Sequence, residues 1–350
     1  MTKTGAKTRV IVCGTGTVGG HAARAVLTRD DTELVGAKVY SDSKAGRDVG
    51  ELLGVAPLGI AAVSTIDEVI AAKPDCVIYA PSTPSHDELT QLLSAGIDVI
   101  STAGGYLFYP VADAALHQLL EDACAAGGAS FHGAGINPGF ISARLPLVLS
   151  SWCRRIDRIR ATECAVMTEY PSSALLFDLM HFGQPLDPKN CEKGHIGQRI
   201  RRAFEAMLLE LAAGIGAKVE EIVQTYDEIA APRDLHIAAG VVKEGTVAGQ
   251  RWLWTGIVDG KPLIELETYW VLSNELEGWP NKFGWNLVID GDPGMNVTLH
   301  THGGENPDDE CCIATAMQAV NAINIVRDAP AGIRTYLDLP SVHGRYTPAA

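Results

Sequence analysis

The first part of the chain alternates short apolar, β-branched runs with longer segments whose apolar positions recur at three- and four-residue spacing. The runs at residues 9–13, 33–40, 76–80, 99–101 and 130–133 predict strands; residues 18–29, 65–72, 86–95 and 111–126 predict helices. Such a series demands a parallel sheet covered by helices. Beyond residue 150 the pattern changes. Residues 155–168, 235–244, 246–259, 262–272, 285–290 and 295–301 read as closely spaced strands of antiparallel meanders, rich in Val, Ile, Thr, Trp and Tyr. Asp259-Gly260 is a hairpin signal between two of them, and helices at 173–180 and 197–215 would cover one face. A last helix at 311–326 is stopped by Ala329-Pro330-Ala331-Gly332 and is expected to return to the first domain.

One junction carries chemistry. Gly14-Thr15-Gly16-Thr17-Val18-Gly19 sits between the first strand and an amphipathic helix, at the start of a βαβ series. In that context Gly14 permits the tight turn, Gly16 lets backbone approach a pyrophosphate, and Gly19 lets helix and strand pack closely. The phosphates would lie at a helix N-terminus, where free N–H groups and the dipole favour negative charge. The expected fold is an α/β Rossmann domain with a parallel sheet over residues 1–140. It is followed by an α+β domain with a largely antiparallel sheet over 141–308 and by a C-terminal helix and tail over 309–350.

At the end of the second strand, where NAD-selective sites offer an acid to the ribose, Val39 and Tyr40 stand instead. The loop beyond brings Ser41, Ser43, Lys44 and Arg47, whose hydroxyls and cations could hold a 2′-phosphate. NADP(H) is therefore the expected cofactor, with NAD(H) kept open by Asp42 in the same loop. Pro81, Ser82 and Thr83 follow the next strand at the carboxyl edge, near the place of the nicotinamide ribose, and Ser101-Thr102 end another strand there. A simple strand-ending turn would explain the last pair as well.

Composition narrows the partners. A formal net charge of -14 over 350 residues argues against nucleic acid and anionic membranes, which bind clustered Lys and Arg. The eight cysteines show no C-x-x-C spacing, which fits reduced thiols and a cytoplasmic location. Neither a signal peptide nor a run of the ~20 apolar residues of a membrane span is visible. His300 and His302 share a strand face without a third ligand at suitable spacing, so no metal is expected.

Taken with the glycine loop, Gly135-Ile136-Asn137-Pro138-Gly139-Phe140, Tyr170-Pro171-Ser172, the 176–180 segment, the 247–255 strand and Ile289-Asp290-Gly291-Asp292-Pro293 form a distinctive set; Asn321-Ala322-Ile323 and Leu337-Asp338-Leu339-Pro340 extend it. With it the chain resembles the dihydrodipicolinate-reductase-like group that contains 2,4-diaminopentanoate dehydrogenase and the native amine dehydrogenases. The resemblance implies a nicotinamide-dependent enzyme, a homodimer whose 141–308 domain binds substrate and carries the dimer contact, and reductive amination of a small carbonyl compound or its reverse. It adds Asn137 and Pro138 to the cofactor set, and makes Phe140, Met167, Tyr170, Phe177 and Met180 walls of a substrate pocket; core packing alone would also explain these side chains.

The resemblance also implies a carboxylate, just after the strand ending at Ser101, that handles the ammonia or amine protons. Residues 99–110 contain no acid. Imine chemistry needs a group that shuttles protons while hydride reaches carbon. Three residues are candidates for it: Tyr106, whose phenol would suit carbonyl reduction; Glu163, which with Glu169 shares a strand face by even spacing; and His181. Tyr106 could equally belong to an aromatic wall with Phe108 and Tyr109, and Glu163 and His181 could be structural. Three activities follow: amine dehydrogenase, ketone/alcohol oxidoreductase using Tyr106 or another donor, and a catalytically silent NADP(H)-binding sensor.

Overall fold

The computed structural model describes residues 6–103, 114–187, 189, 194–302 and 306–346, with only the backbone of 194–196. Two units are present, residues 1–136 with 312–350, and residues 137–311.

The first unit begins β1 (Thr8–Cys13), α1 (Thr17–Thr28), β2 (Thr32–Lys38), α2 (Val49–Leu53), α3 (Ile66–Ala71) and β3 (Cys76–Tyr79). It continues with α4 (His86–Ser94), β4 (Asp98–Ser101), α5 (Ala114–Gly127) and β5 (Ser130–Gly133). The second unit holds α6 (Leu145–Ser150), β6 (Arg155–Val166), α7 (Gly194–Gly214), β7 (Glu221–Ala230), β8 (Leu235–Ile237), β9 (Gly240–Val242), β10 (Val247–Val258), β11 (Lys261–Val271), β12 (Gly284–Asp292) and β13 (Met295–Leu299). The chain then runs through α8 (Pro307–Arg327) to β14 (Gly332–Ile333).

In the first unit the strands pair in parallel, in the order β14-β5-β4-β3-β1-β2. Alternate residues of β1 point to opposite faces. Val10 and Val12 pack with α1 and with Ala316, Val320 and Ile323 of α8, while Ile11 and Cys13 pack with Leu89, Leu92 and Leu120 of α4 and α5. Both faces are thus covered, which is why the strands read as continuous apolar runs. The architecture is a Rossmann fold.

One half-buried carboxyl lies at the opposite edge from the glycine loop. Asp98 opens β4 and accepts the Ser130 backbone N–H at 2.7 Å, and burial pushes its carboxyl up to about 6. Between its unfolded value of 3.8 and about 6 the folded chain holds the extra proton, so this group's contribution to stability falls as pH rises through that window. Asp98→Asn keeps an acceptor without the charge. It is expected to raise stability at pH 7 by about 1–2 kcal/mol, allowing for partial exposure, and to leave it unchanged at pH 3.5, as read by denaturant titration.

In the second unit the sheet order is β13-β12-β6-β11-β10-β7. All pairings in it are antiparallel except β6 with β11. Asp259-Gly260 forms the expected hairpin between β10 and β11, with φ values of 50° and 70°. Helix α7 covers the inner face, where Phe204 stacks on Trp254 at 4.2 Å.

Two expectations fail here, and one strand was missed. The strand predicted at 235–244 is a hairpin of two three-residue strands, because the chain reverses at Ala238 and Ala239. Strand β7 was not foreseen: it is paired only with β10, and Glu221, Gln224, Asp227 and Glu228 give it the polar sequence of a sheet edge. Helix α8 starts earlier than predicted, since the Asn306 side chain accepts the N–H groups of Asp308 at 2.9 Å and Asp309 at 3.3 Å, with Pro307 leading the first turn.

Among the described residues no helix is long and apolar enough to cross a membrane, and no three His, Cys, Asp or Glu are grouped to hold a metal.

Candidate functional site

Between β1 and α1 the glycines have different surroundings. Gly14 has φ +97°, and a Cβ there would meet the Ala80 carbonyl oxygen at 2.6 Å. A Cβ on Gly19 would lie 1.8 Å from the Gly14 carbonyl oxygen. These two let β1, α1 and the segment after β3 approach. Gly16 is different: nothing lies within 4 Å of a Cβ built on it. It is also the N-cap of α1, where no side chain caps the helix and the first turn has no acid. Unpaired N–H groups and the positive end of the helix dipole therefore remain beside an open space, an arrangement that suits a diphosphate.

The loop after β2 adds a cation. Lys44 Nζ donates to the Thr15 carbonyl at 3.5 Å, which brings its ammonium beside the glycine loop. Ser41 Oγ and Ser43 Oγ are 2.8 Å apart and exposed, as is Arg47. Of the segment after β3, Pro81 is buried while Ser82 and Thr83 are exposed. Ser101 is buried, its Oγ accepting the Ala103 N–H at 3.2 Å, and Thr102 is half-buried.

A polar cluster around the buried Lys38 at this edge went unread in the sequence. Lys38, 3% exposed at the end of β2, pairs with Glu88 of α4 at 2.8 Å and lies 3.5 Å from the centre of the Tyr40 ring. Tyr40 and Tyr79 each donate a phenol hydrogen bond to Glu88 Oε2 at 2.7 Å, and the Ser85 N–H reaches Tyr79 Oη at 2.9 Å. Burial alone would raise the Glu88 carboxyl; Lys38 and the two phenols hold it below its ordinary value. Burial also pushes the Cys13 thiol up to about 12. Ser85-His86-Asp87-Glu88 has the spacing of a capping box, which would send Glu88 back to its own helix. A lysine closing an apolar strand was the one signal that its carboxylate has another partner.

In the second unit the structure gathers Met167, Tyr170, Phe177 and Met180 into one apolar cluster around Leu176 and Phe182; Phe140 is half-buried elsewhere in the unit. His181 adopts φ 62°, an uncommon conformation for a side-chain-bearing residue, and its ring is half-buried. Glu163 lies on the core-facing side of β6, 6% exposed. Its Oε1 accepts the Trp270 indole N–H at 3.0 Å and its Oε2 that of Trp285 at 2.7 Å, with the Asn137 amide as a further donor. Burial raises the Glu163 carboxyl against the opposing effect of these bonds. Pro138 is half-buried beside Asn137.

Glu169 does not share a strand face with Glu163: β6 ends at Val166, and Glu169 lies instead near Asp308, whose carboxyl is raised to about 6 by burial and by that negative neighbour. Tyr106 falls outside the described residues, as do Phe108 and Tyr109.

Comparison with known proteins matches both units. Residues 140–347 match the model of the 2,4-diaminopentanoate dehydrogenase C-terminal domain, and residues 8–121 that of the dihydrodipicolinate reductase N-terminus. An amine dehydrogenase of Streptomyces virginiae is 30% identical over 94% of this chain and 95% of its own. The 2,4-diaminopentanoate dehydrogenase of Acetoanaerobium sticklandii is 27% identical over 95% of this chain and 94% of its own. The solved amine dehydrogenase of Mycobacterium smegmatis, 22% identical, shares the fold with a TM-score of 0.79 over 97% of each chain.

Proposed function

This chain belongs to the 2,4-diaminopentanoate dehydrogenase and amine dehydrogenase family of NAD(P)-dependent dehydrogenases, and from that premise we propose that it is an NADP(H)-dependent amine dehydrogenase acting on a small molecule. The observation that carries the cofactor reading is the uncapped start of α1 beside the open face of Gly16, with the Lys44 ammonium next to it. Gly14, Thr15, Gly16, Thr17, Val18 and Gly19 would hold the diphosphate, and Ser41, Ser43, Lys44 and Arg47 the 2′-phosphate. Pro81, Ser82, Thr83, Ser101, Thr102, Asn137 and Pro138 would line the nicotinamide end. The bound nicotinamide would exchange a hydride with the substrate carbon. This chain's own part is to hold nucleotide and substrate in fixed orientation, which removes the entropic cost of their encounter. Met167, Tyr170, Phe177 and Met180, clustered in one apolar surface, support the substrate-wall reading, with Phe140 a further wall by resemblance. A homodimer in the cytoplasm completes the proposal.

A second reading has one observation behind it. The stretch from Val99 to Pro110 carries no carboxylate, which favours alcohol or ketone chemistry with Tyr106 or His181 as the proton donor. A panel of primary amines, secondary alcohols and their ketones, followed by NADPH absorbance, separates the two. Turnover confined to alcohols and ketones would replace the amine reading; binding of NADPH with no turnover at all would leave a sensor.

Cofactor choice has its own test. Lys44→Ala is expected to weaken NADPH about 10- to 100-fold, the value of one charge-assisted contact, while leaving the affinity for NADH unchanged. Equal loss for both nucleotides, measured by fluorescence titration, would remove Lys44 from 2′-phosphate recognition.

A further inference from the structure

Glu163 is a buried carboxylate whose partners among the described residues are neutral donors, two indoles and one amide. The sheet explains the indoles. Trp285 stands directly opposite Glu163 across the β12–β6 pairing, and Trp270 lies two positions beyond Thr268, the residue opposite Glu163 on β11, so all of these share a face. Each carboxylate oxygen receives one indole N–H and keeps a further lone pair for the Asn137 amide. The sense of that amide is fixed by its own partners. The Asn137 side chain bonds Glu163 while its Oδ1 has no partner among the described residues, so the NH2 is turned to Glu163 and the oxygen away.

That oxygen is buried and has no hydrogen-bond partner among the described residues. Two other buried polar atoms without a partner lie in the same cross-strand row, Thr268 Oγ1 opposite Glu163 and Trp252 Nε1 opposite Thr268. Buried polar atoms are rarely left unsatisfied, so an acceptor held beside a fully bonded carboxylate is one that an ordered water or a bound molecule completes.

We propose that Glu163 is a positioning residue and not a proton carrier: it holds the Asn137 amide so that Asn137 Oδ1 is presented as an acceptor to an N–H of the bound molecule. This rests on the dehydrogenase reading above, in which two N–H sources exist, the carboxamide of the nicotinamide and the nitrogen of an amine substrate. Replacing Glu163 by Gln puts an NH2 where an acceptor stood. The Asn137 amide then has reason to reverse and show a donor in place of the acceptor, whereas Asn137→Ala removes the acceptor without touching the indoles.

The test compares wild type, Glu163→Gln and Asn137→Ala in the full chain, with near-UV circular dichroism as the check that the tryptophans keep their packing. Affinity is measured for NADPH and for its 3-acetylpyridine analogue, in which a methyl group replaces the NH2 of the carboxamide. Steady-state kinetics with the best amine of the panel are recorded against pH. The expected result is a loss of about tenfold in both variants, confined to one N–H source. If the preference for NADPH over the analogue collapses, the source is the carboxamide; if it persists while KM for the amine rises, the source is the substrate nitrogen. Either way the pH profile of kcat/KM keeps its shape in Glu163→Gln. The proposal is overturned if both variants retain wild-type nucleotide preference and KM, or if Glu163→Gln removes a limb of the pH profile, which would make Glu163 the group that titrates. Asn137→Ala answers the first point even where Glu163→Gln disturbs packing. A wild-type protein that binds neither NADPH nor NADH overturns the dehydrogenase reading and this one with it, before any variant is compared, so the two failures are distinct.

Discussion

Gly16→Val is expected to abolish nucleotide binding while leaving the protein folded. At this position the backbone has φ −77° and ψ −166°, which a branched residue adopts without strain, and an added Cβ meets nothing within 4 Å. The isopropyl group would therefore enter open space and stand over the first N–H groups of α1. A diphosphate needs that space to reach those groups, and losing both the contact and the dipole should weaken NADPH more than about 100-fold, or roughly 3 kcal/mol. The melting temperature of the free protein should move by no more than about 2 °C. Gly19→Val is the contrasting variant. Its Cβ would have to occupy the position of the Gly14 carbonyl, 1.8 Å away, so α1 must separate from β1 and stability falls together with binding. Equal affinity of Gly16→Val and wild type for NADPH, by calorimetric titration, would sink the assignment of this loop to the diphosphate.

The second large effect concerns the cluster behind that loop. Glu88→Ala leaves the Lys38 ammonium buried without its carboxylate and strips two phenols of their acceptor. Breaking a buried pair from one side typically costs about 3–5 kcal/mol, because the remaining charge is desolvated and uncompensated. A fall of about 4–7 °C in melting temperature is expected for a chain of this size. The companion variant Lys38→Met with Glu88→Leu removes both charges and should recover most of the loss, since an apolar pair of similar volume needs no compensation. A double variant as unstable as Glu88→Ala would mean that the phenol bonds, and not the ion pair, hold this edge together. Because Lys38 ends β2 and its carbonyl accepts the Gly14 N–H at 2.8 Å, any loosening should also appear as weaker nucleotide binding.

Much of the first unit was legible because its signals are local. Val10 to Cys13 followed by the glycine loop and a small-residue helix names a strand, a turn and a close-packed helix by short-range sterics alone. The second unit was harder. The polar edge strand β7 has no amphipathic pattern to find, and a parallel β6–β11 pair among antiparallel neighbours is a matter of topology. The functional reading of Glu163 shows the same limit. Its even spacing from Glu169 suggested a shared face and a proton-transfer role, but the strand ends between them, and what surrounds the carboxylate comes from residues 137, 270 and 285.

By itself the sequence determined the alternation of β1 to β5 with α1, α3, α4 and α5 in the first unit, the Asp259-Gly260 hairpin and the glycine loop, since each depends on backbone sterics and apolar periodicity within a few neighbouring residues. Only the tertiary structure decided that Glu88 turns to Lys38 instead of its own helix, that the Lys44 ammonium stands beside Thr15, and that Glu163 faces two indoles and an amide. Those outcomes depend on strand register and on which helix covers which face. Hydrogen bonds and ion pairs reach only about 3 Å, so the partner of a buried charge is chosen by whichever distant segment the fold delivers to it.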